Sequence, residues 1–289
     1  MRAAAVVIGG VEIVPILDAE GSLSLADTFS RGDPPPGGIE TLGRLYPEDF
    51  TSDSWRFRDH CFLVRMPTGT VLIDTGVGPE GSTYANVLGR GGTLPVQLEW
   101  LGLTDADIDH VILTHVHSDH VGWNSVRSAA GWVPRFRNAR YHLHEADVAW
   151  AKDLGTPRSP RATPPPFAEV LEPVIASGQL ESAPEDREVL PGLSLRHTPG
   201  HTPGHRCVLL EVDDERVLFA GDLLHFTFQL GSPGYRSPPD LDPDAGARSR
   251  TVWLDRVEEQ GMTLATAHLP PSPFVRLVRE GGHRVALPR

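Results

Sequence analysis

With 289 residues, 39% hydrophobic and 22% charged, the chain is long enough for one large α/β domain or two small ones, and it is too apolar to be disordered. A formal net charge of -12 argues against a nucleic-acid partner, because the phosphate backbone rewards a basic face. Cys61 and Cys207 make no metal or redox spacing and read as small buried hydrophobes of a reducing compartment, with a single disulfide left open.

Residues 1–8 form a brief apolar run that Glu12 ends, which reads as a strand and not a signal-peptide core. No apolar run approaches the ~18 residues of a membrane helix, so a cytoplasmic protein without a membrane partner is expected. Residues 4–17 read as two strands broken at Gly9-Gly10, a hairpin signal. Residues 21–58 show little periodicity apart from a short helix around 39–45, and long loops of this kind usually shape a site. Trp55 and Phe57 near its end suit packing, or the wall of a pocket.

Strand-like runs follow at 61–65 and 71–73. The second ends in Asp74-Thr75-Gly76. An aspartic protease would need a second such Asp from another lobe, so this triplet is expected to fix a loop. Residues 94–103 have helical spacing, and Thr104-Asp105-Ala106-Asp107 reads as a turn. Residues 110–114 are short, apolar and β-branched, as a buried strand should be.

That strand runs into Thr114-His115-Val116-His117-Ser118-Asp119-His120, which places four metal-binding side chains at a strand end. Strand ends are where open α/β scaffolds carry their sites. Imidazole and carboxylate suit zinc, manganese, iron or cobalt better than magnesium or calcium.

Further on, 139–143 reads as a strand, 144–152 as a helix and 155–166, with five prolines, as a loop or lid edge. Residues 167–177 have helical spacing. A strand at 192–196 leads into His197-Thr198-Pro199-Gly200-His201-Thr202-Pro203-Gly204-His205. Strands at 207–212 and 216–220 end at Gly221-Asp222, and a helix at 248–260 precedes a strand at 263–267 that ends at His268. His115, His201, Asp222 and His268 thus each follow a strand or its turn. With His117, Asp119 and His120 they make seven candidate ligands, enough for two ions sharing one carboxylate. Such a pair can hold a bridging hydroxide and polarise a substrate oxygen.

In this order the motifs resemble those of the metallo-β-lactamase-fold hydrolases. The likeness implies an α/β fold, an αββα sandwich forming a single domain over 1–289. It also implies a dinuclear metal site at the sheet edge and loop or lid segments around 21–58 and 151–170. Gly221-Asp222-Leu223-Leu224-His225, Gln229 and Ala267-His268-Leu269-Pro270 are most similar to methyl parathion hydrolase and, more distantly, to acyl-homoserine lactonases.

The resemblance implies one ion on His115, His117 and His201, a second on Asp119, His120 and His268, and Asp222 bridging them. Zinc is the first expectation, with manganese, iron or cobalt open. His201 is preferred to His197 and His205 because the family's ligand is the first His after Thr-Pro-Gly. Asp119 would also carry a proton to the leaving group. His225 stands near a Tyr that contacts the substrate carbonyl in acyl-homoserine lactonases, which makes it a candidate catalytic residue or a packing one. Trp123, Phe226 and Phe228 are candidate apolar walls. His60, His110, His142, His144 and His283 read as surface or structural imidazoles.

The expected activity is metal-dependent cleavage of a lactone or carboxylic ester, with organophosphate triesters as a further or primary substrate and a thioesterase as the next alternative. A β-lactamase or a non-catalytic metal-binding protein fits less well. The likeness also implies a homodimer.

Overall fold

The computed structural model describes residues 5–30, 32–129, 131–153, 167–270 and 272–289. The predicted loop at 155–166, most of the 151–170 lid and the first four residues of the predicted N-terminal strand lie outside the described residues. The chain divides into two compact units, one of residues up to 19 with 59–185, the other of residues 20–58 with 186–289.

The first unit is built on strands β1 (Val6–Ile8), β2 (Val11–Ser24), β3 (Ser54–Met66), β4 (Gly69–Ile73), β5 (His110–Ile112), β6 (Ser125–Ser128), β7 (Gly131–Pro134), β8 (Arg140–His144) and β9 (Leu180–Ala183). Seven of them form a sheet in the order β1-β2-β3-β4-β5-β8-β9, and β6 and β7 pair as a separate hairpin. The expected hairpin at Gly9-Gly10 is present: Ile8 faces Val11 across a two-residue turn with φ of 53° and 80°. Both angles are positive, as a type I′ turn requires.

From β4 through β5 and β8 to β9 the ladder is parallel. Parallel strands are covered on both faces, which explains the unbroken apolar runs Val71-Leu72-Ile73 and Val111-Ile112-Leu113. Leu72, Val111, Leu113, Tyr141 and Leu143 pack with Leu94 and Leu98 of the helix Leu94–Trp100 and with Val170 and Val174 of the short helices Phe167–Val170 and Glu172–Ala176. Each such side chain, fully buried, contributes roughly 1.5–3 kcal/mol.

The second unit carries β10 (Arg187–Leu190), β11 (Leu193–His197), β12 (Arg206–Val212), β13 (Glu215–Phe219), β14 (Thr263–Ala265), β15 (Phe274–Glu280) and β16 (His283–Pro288), paired in chain order. All neighbours are antiparallel except β13 and β14, which are parallel. A parallel pair needs a crossover, and the helix Pro243–Glu259 lies within it. The helix starts earlier than its apolar spacing suggests. Asp242 caps it by accepting from Ala245 N at 2.9 Å, and Pro243 opens its first turn.

Two features escape the sequence reading. The C-terminal hairpin of β15 and β16 turns at Gly281-Gly282, with φ of 56° and 84°, just as the N-terminal one does at its own glycine pair. The segment 21–58 is also less of a loop than its composition suggests. β2 runs on to Ser24, β3 begins at Ser54, and helical turns lie at Leu25–Thr28, Ile39–Thr41 and Leu42–Leu45. No helix among the described residues is long and apolar enough to cross a membrane.

Candidate metal centre

In the first unit the histidines gather just beyond the carboxyl end of β5, with Asp74 beside them at the end of β4. Asp74 accepts from Thr114 N and Thr114 Oγ1, both at 2.8 Å, and its Oδ2 lies 2.9 Å from His120 Nδ1. Because Thr114 Oγ1 gives its proton to Asp74, it accepts from His115 Nδ1, 3.0 Å away. One carboxylate therefore sets both tautomers, leaving the Nε2 lone pairs of His115 and His120 as ligand atoms. Asp74 holds this position with φ of 60°, uncommon outside glycine, as expected for a residue fixed by its contacts. The sequence assigned Asp74-Thr75-Gly76 to loop fixation, and this network is how it does so.

His115 Nε2 and His117 Nδ1 are 3.1 Å apart. Two imidazole nitrogens on one tetrahedral zinc, each at about 2.0–2.1 Å, stand about 3.3 Å apart. His120 Nε2 is 3.8 Å from Asp119 Oδ2. The buried Asp147, on the helix Glu145–Asp153, accepts from Val116 N at 3.1 Å and pins the loop from its other side. Nothing in the sequence spacing marked Asp147. A cavity of about 290 Å3 in this unit is lined by Ser118 together with Arg127, Trp132 and Glu169.

In the second unit the parallel register sets the site. Phe219 of β13 pairs with Ala265 of β14, and Asp222 and His268 each lie three residues beyond that last rung. His268 Nδ1 donates to the carbonyl of Arg58, so its Nε2 lone pair faces Asp222 Oδ1 at 3.0 Å. His201 Nδ1 lies 3.3 Å from Asp240 Oδ1, and its Nε2 faces Asp222 Oδ2 at 3.1 Å. With both rings neutral, acceptor would meet acceptor on both carboxylate oxygens. Only a cation or a shared proton makes such contacts favourable, so this donor set fits divalent ions. The charge field agrees. Burial lowers the pKa of His201, but Asp222 and Asp240 outweigh it and raise it to about 9.

Asp240 is held in turn by the buried Arg250, whose Nη2 is 2.8 Å from its Oδ2 and whose other donors reach the carbonyls of Leu223 and Tyr235. Burial pushes the Asp240 carboxyl up, yet His201 and Arg250 bring it below the usual range. The His201 loop meets the crossover helix closely: a Cβ on Gly200, whose φ is 136°, would stand 2.0 Å from Gly246 N. Asp240 and Arg250 belong to this site and carried no sequence signal, because neither sits at a fixed spacing from a motif.

His225 Nε2 lies 3.0 Å from Asp222 Oδ2. Burial lowers its pKa to about 4, against the pull of Asp222. It is neutral at pH 7 and donates Nε2–H to Asp222. Its Nδ1 is buried with no hydrogen-bond partner among the described residues. Gln229 Oε1 accepts from the backbone N–H groups of His225 and Phe226 and fixes this turn. His205 Nε2 accepts from Asp222 N at 3.0 Å and so supports the turn that carries Asp222. His197 bonds the carbonyl of Pro203, a local cap. His110 and His142 pair with each other at 3.0 Å on β5 and β8, and His283 is exposed.

Segment 20–58 packs beside these second-unit residues. Trp55 and Phe57 are buried, with Phe57 5.0 Å and Trp55 6.0 Å from the His268 ring. Phe226 and Phe228 stack on each other at 5.2 Å and pack against Phe29 and Phe50. Both are fully buried core residues rather than surfaces open to a ligand. Trp123 is half-buried beneath the Arg135 guanidinium, 5.0 Å from its ring.

A family model described as the metallo-β-lactamase superfamily matches residues 56–268. An N-acyl homoserine lactonase of Bacillus sp is 28% identical over 167 residues, which are 53% of this chain and 58% of the relative. Another, from Bacillus thuringiensis subsp. kurstaki, is 26% identical over the same shares. The chain thus spans less than two thirds of the length of these curated relatives. Among solved structures, the hydrolase AbOPH of the beta lactamase superfamily superposes with a TM-score of 0.83 at 22% identity, over 100% of this chain and 97% of that one. AidC, described as a dizinc quorum-quenching lactonase in complex with a product, gives 0.79 at 19% identity over 100% and 97%. At these identities the likeness is one of fold.

Proposed function

The chain belongs to the metallo-β-lactamase superfamily, and from that premise we propose that it is a dinuclear metallohydrolase of lactones and related carboxylic esters. The observation that carries the reading is Asp222. One of its oxygens faces His201 Nε2 and the other faces His268 Nε2, as a carboxylate shared by two ions requires. In this reading His115, His117 and His201 hold one ion, Asp119, His120 and His268 hold the other, and Asp222 serves both. Zinc is the first choice, because the donor set suits it and the fold neighbour AidC is a dizinc enzyme.

Two such ions, when bound, would lower the pKa of bound water toward ~7 and stabilise a developing oxyanion. The chain's own residues do the remaining work. Asp74 fixes the tautomers of His115 and His120. Asp240, itself held by Arg250, orients His201. Asp119, buried beside His120, would take the proton of the attacking water and pass it to the leaving alkoxide. His225 acts through Asp222, to which it donates; the tautomer that does so turns a lone pair, not a proton, toward anything at Nδ1.

The lactone class is supported by the curated relatives, which are N-acyl homoserine lactonases. The test is catalytic efficiency on metal-loaded protein with an acyl-homoserine lactone and with methyl parathion side by side. A clear lead for the lactone is expected. A lead for the phosphotriester would replace the ester reading with an organophosphate hydrolase. Turnover of neither, with two ions bound per chain, would reject both substrates and leave the metal centre standing.

A further inference from the structure

The first unit buries one more carboxylate that the ligand set above does not use. Asp59 lies on β3 and is 1% exposed. Its Oδ2 has no hydrogen-bond partner among the described residues. Asp59 and His120 each present a ligand atom within 4.8 Å of the other. The acids Asp119, Asp18 and Asp74 are among the groups that act on Asp59 most strongly, and no lysine or arginine is. An ionised carboxylate without donor or cation is costly to bury. His120 gives its Nδ1 proton to Asp74, so the Nε2 atom that remains is a second lone pair and not a donor for Asp59.

We propose that Asp59 is an additional oxygen ligand of the divalent ion held by Asp119 and His120. The inference rests on the metallohydrolase reading above and makes the two metal positions chemically unequal. The position of His115 and His117 is rich in imidazole. The position of Asp59, Asp119 and His120 is rich in carboxylate oxygen, which favours harder ions such as Mn2+ over a softer competitor. Sequence spacing could not mark Asp59, because it stands 60 residues before Asp119 inside a strand whose other buried members, His60 apart, are core.

The test uses the full chain as wild type and as Asp59→Asn, each stripped of metal and reloaded with Mn2+ or Zn2+. Bound metal is counted by elemental mass spectrometry, and dissociation constants are measured by calorimetry, with the free Mn2+ signal followed by paramagnetic resonance. Asp59→Asn is expected to keep one ion and to bind the second at least tenfold more weakly, with a larger loss for Mn2+ than for Zn2+. The stripped variant should melt no lower than stripped wild type, since it replaces a buried carboxyl group that has no donor; that readout separates a lost ligand from a damaged fold. Should Asp59→Asn fail to fold, Asp59→Ser carries the same expectations. Two ions bound by the variant with wild-type constants would overturn the role of Asp59 and leave the dinuclear reading intact. A wild-type chain that binds no second ion would overturn both.

Discussion

At the level of single residues, Asp222 and Asp74 are satisfied in opposite ways. Asp74 is satisfied entirely by protein donors, so it acts by holding His115 and His120 in one tautomer. Asp222 faces the Nε2 atoms of His201 and His268 with its two oxygens, so it is complete only with positive charge beside it. Asp222→Ala is expected to remove most activity and to lower the metal content measured on the purified protein. Wild-type metal content with near-normal turnover would sink the shared-carboxylate assignment. His225 bonds Asp222 on Oδ2 without being needed as a ligand. Its replacement in His225→Phe should lower kcat by ~10–100-fold, the usual effect of losing a group that orients a metal ligand, while the metal content stays unchanged. An unchanged kcat would mean that His225 only packs.

Strand ends are the level at which this molecule was most legible from its sequence. The runs before Asp74, His115, Asp222 and His268 read as strands, and the structure places β4, β5, β13 and β14 there. A strand announces itself by a local apolar pattern, and the polar residue that ends it stands out against that pattern. What supports those ends was not legible. Asp147, Asp240 and Arg250 are buried charges brought in from helices or loops far along the chain, and no local period encodes such a meeting.

Segment 20–58 is the clearest case. It has no periodicity, yet Arg58 fixes His268 and Asp49 fixes the turn after His225 by accepting from Thr227 N at 2.7 Å and Thr227 Oγ1 at 2.9 Å. Burial raises the Asp49 pKa from 3.8 to about 6. The folded state then holds this proton more tightly than the unfolded state, so the stability it contributes is present below about pH 4 and is lost as pH rises through about 6. Asp49→Asn removes the charge, keeps an acceptor for Thr227 N and lets its amide NH2 donate to Thr227 Oγ1. Its melting temperature relative to wild type should therefore rise between pH 4 and pH 7. A difference that is flat with pH would show that Asp49 is not protonated more readily in the fold.

The whole chain has the metallo-β-lactamase fold, and it distributes the candidate ligands unevenly between its two units. His201, Asp222 and His268 are spread along the second unit and meet only through the β13–β14 register and the crossover helix between those strands. His115, His117, Asp119 and His120 fall within six residues of the first. Their clustering made the motif easy to read, and it has a consequence for the denatured chain. A peptide carrying three imidazoles and a carboxylate in so short a span chelates transition metals without any fold. An ion that binds the unfolded chain stabilises the native state by less than its native affinity suggests. Zinc present at the start of refolding should therefore hold this hexapeptide in local, non-native coordination and slow the recovery of native signal, whereas zinc added after refolding in chelator should not. Equal recovery rates from the two orders of addition would show that the unfolded chain has no useful grip on the ion. For a newly made chain the same trap would exist from the moment His120 leaves the ribosome, long before Asp222 and His268 are synthesised.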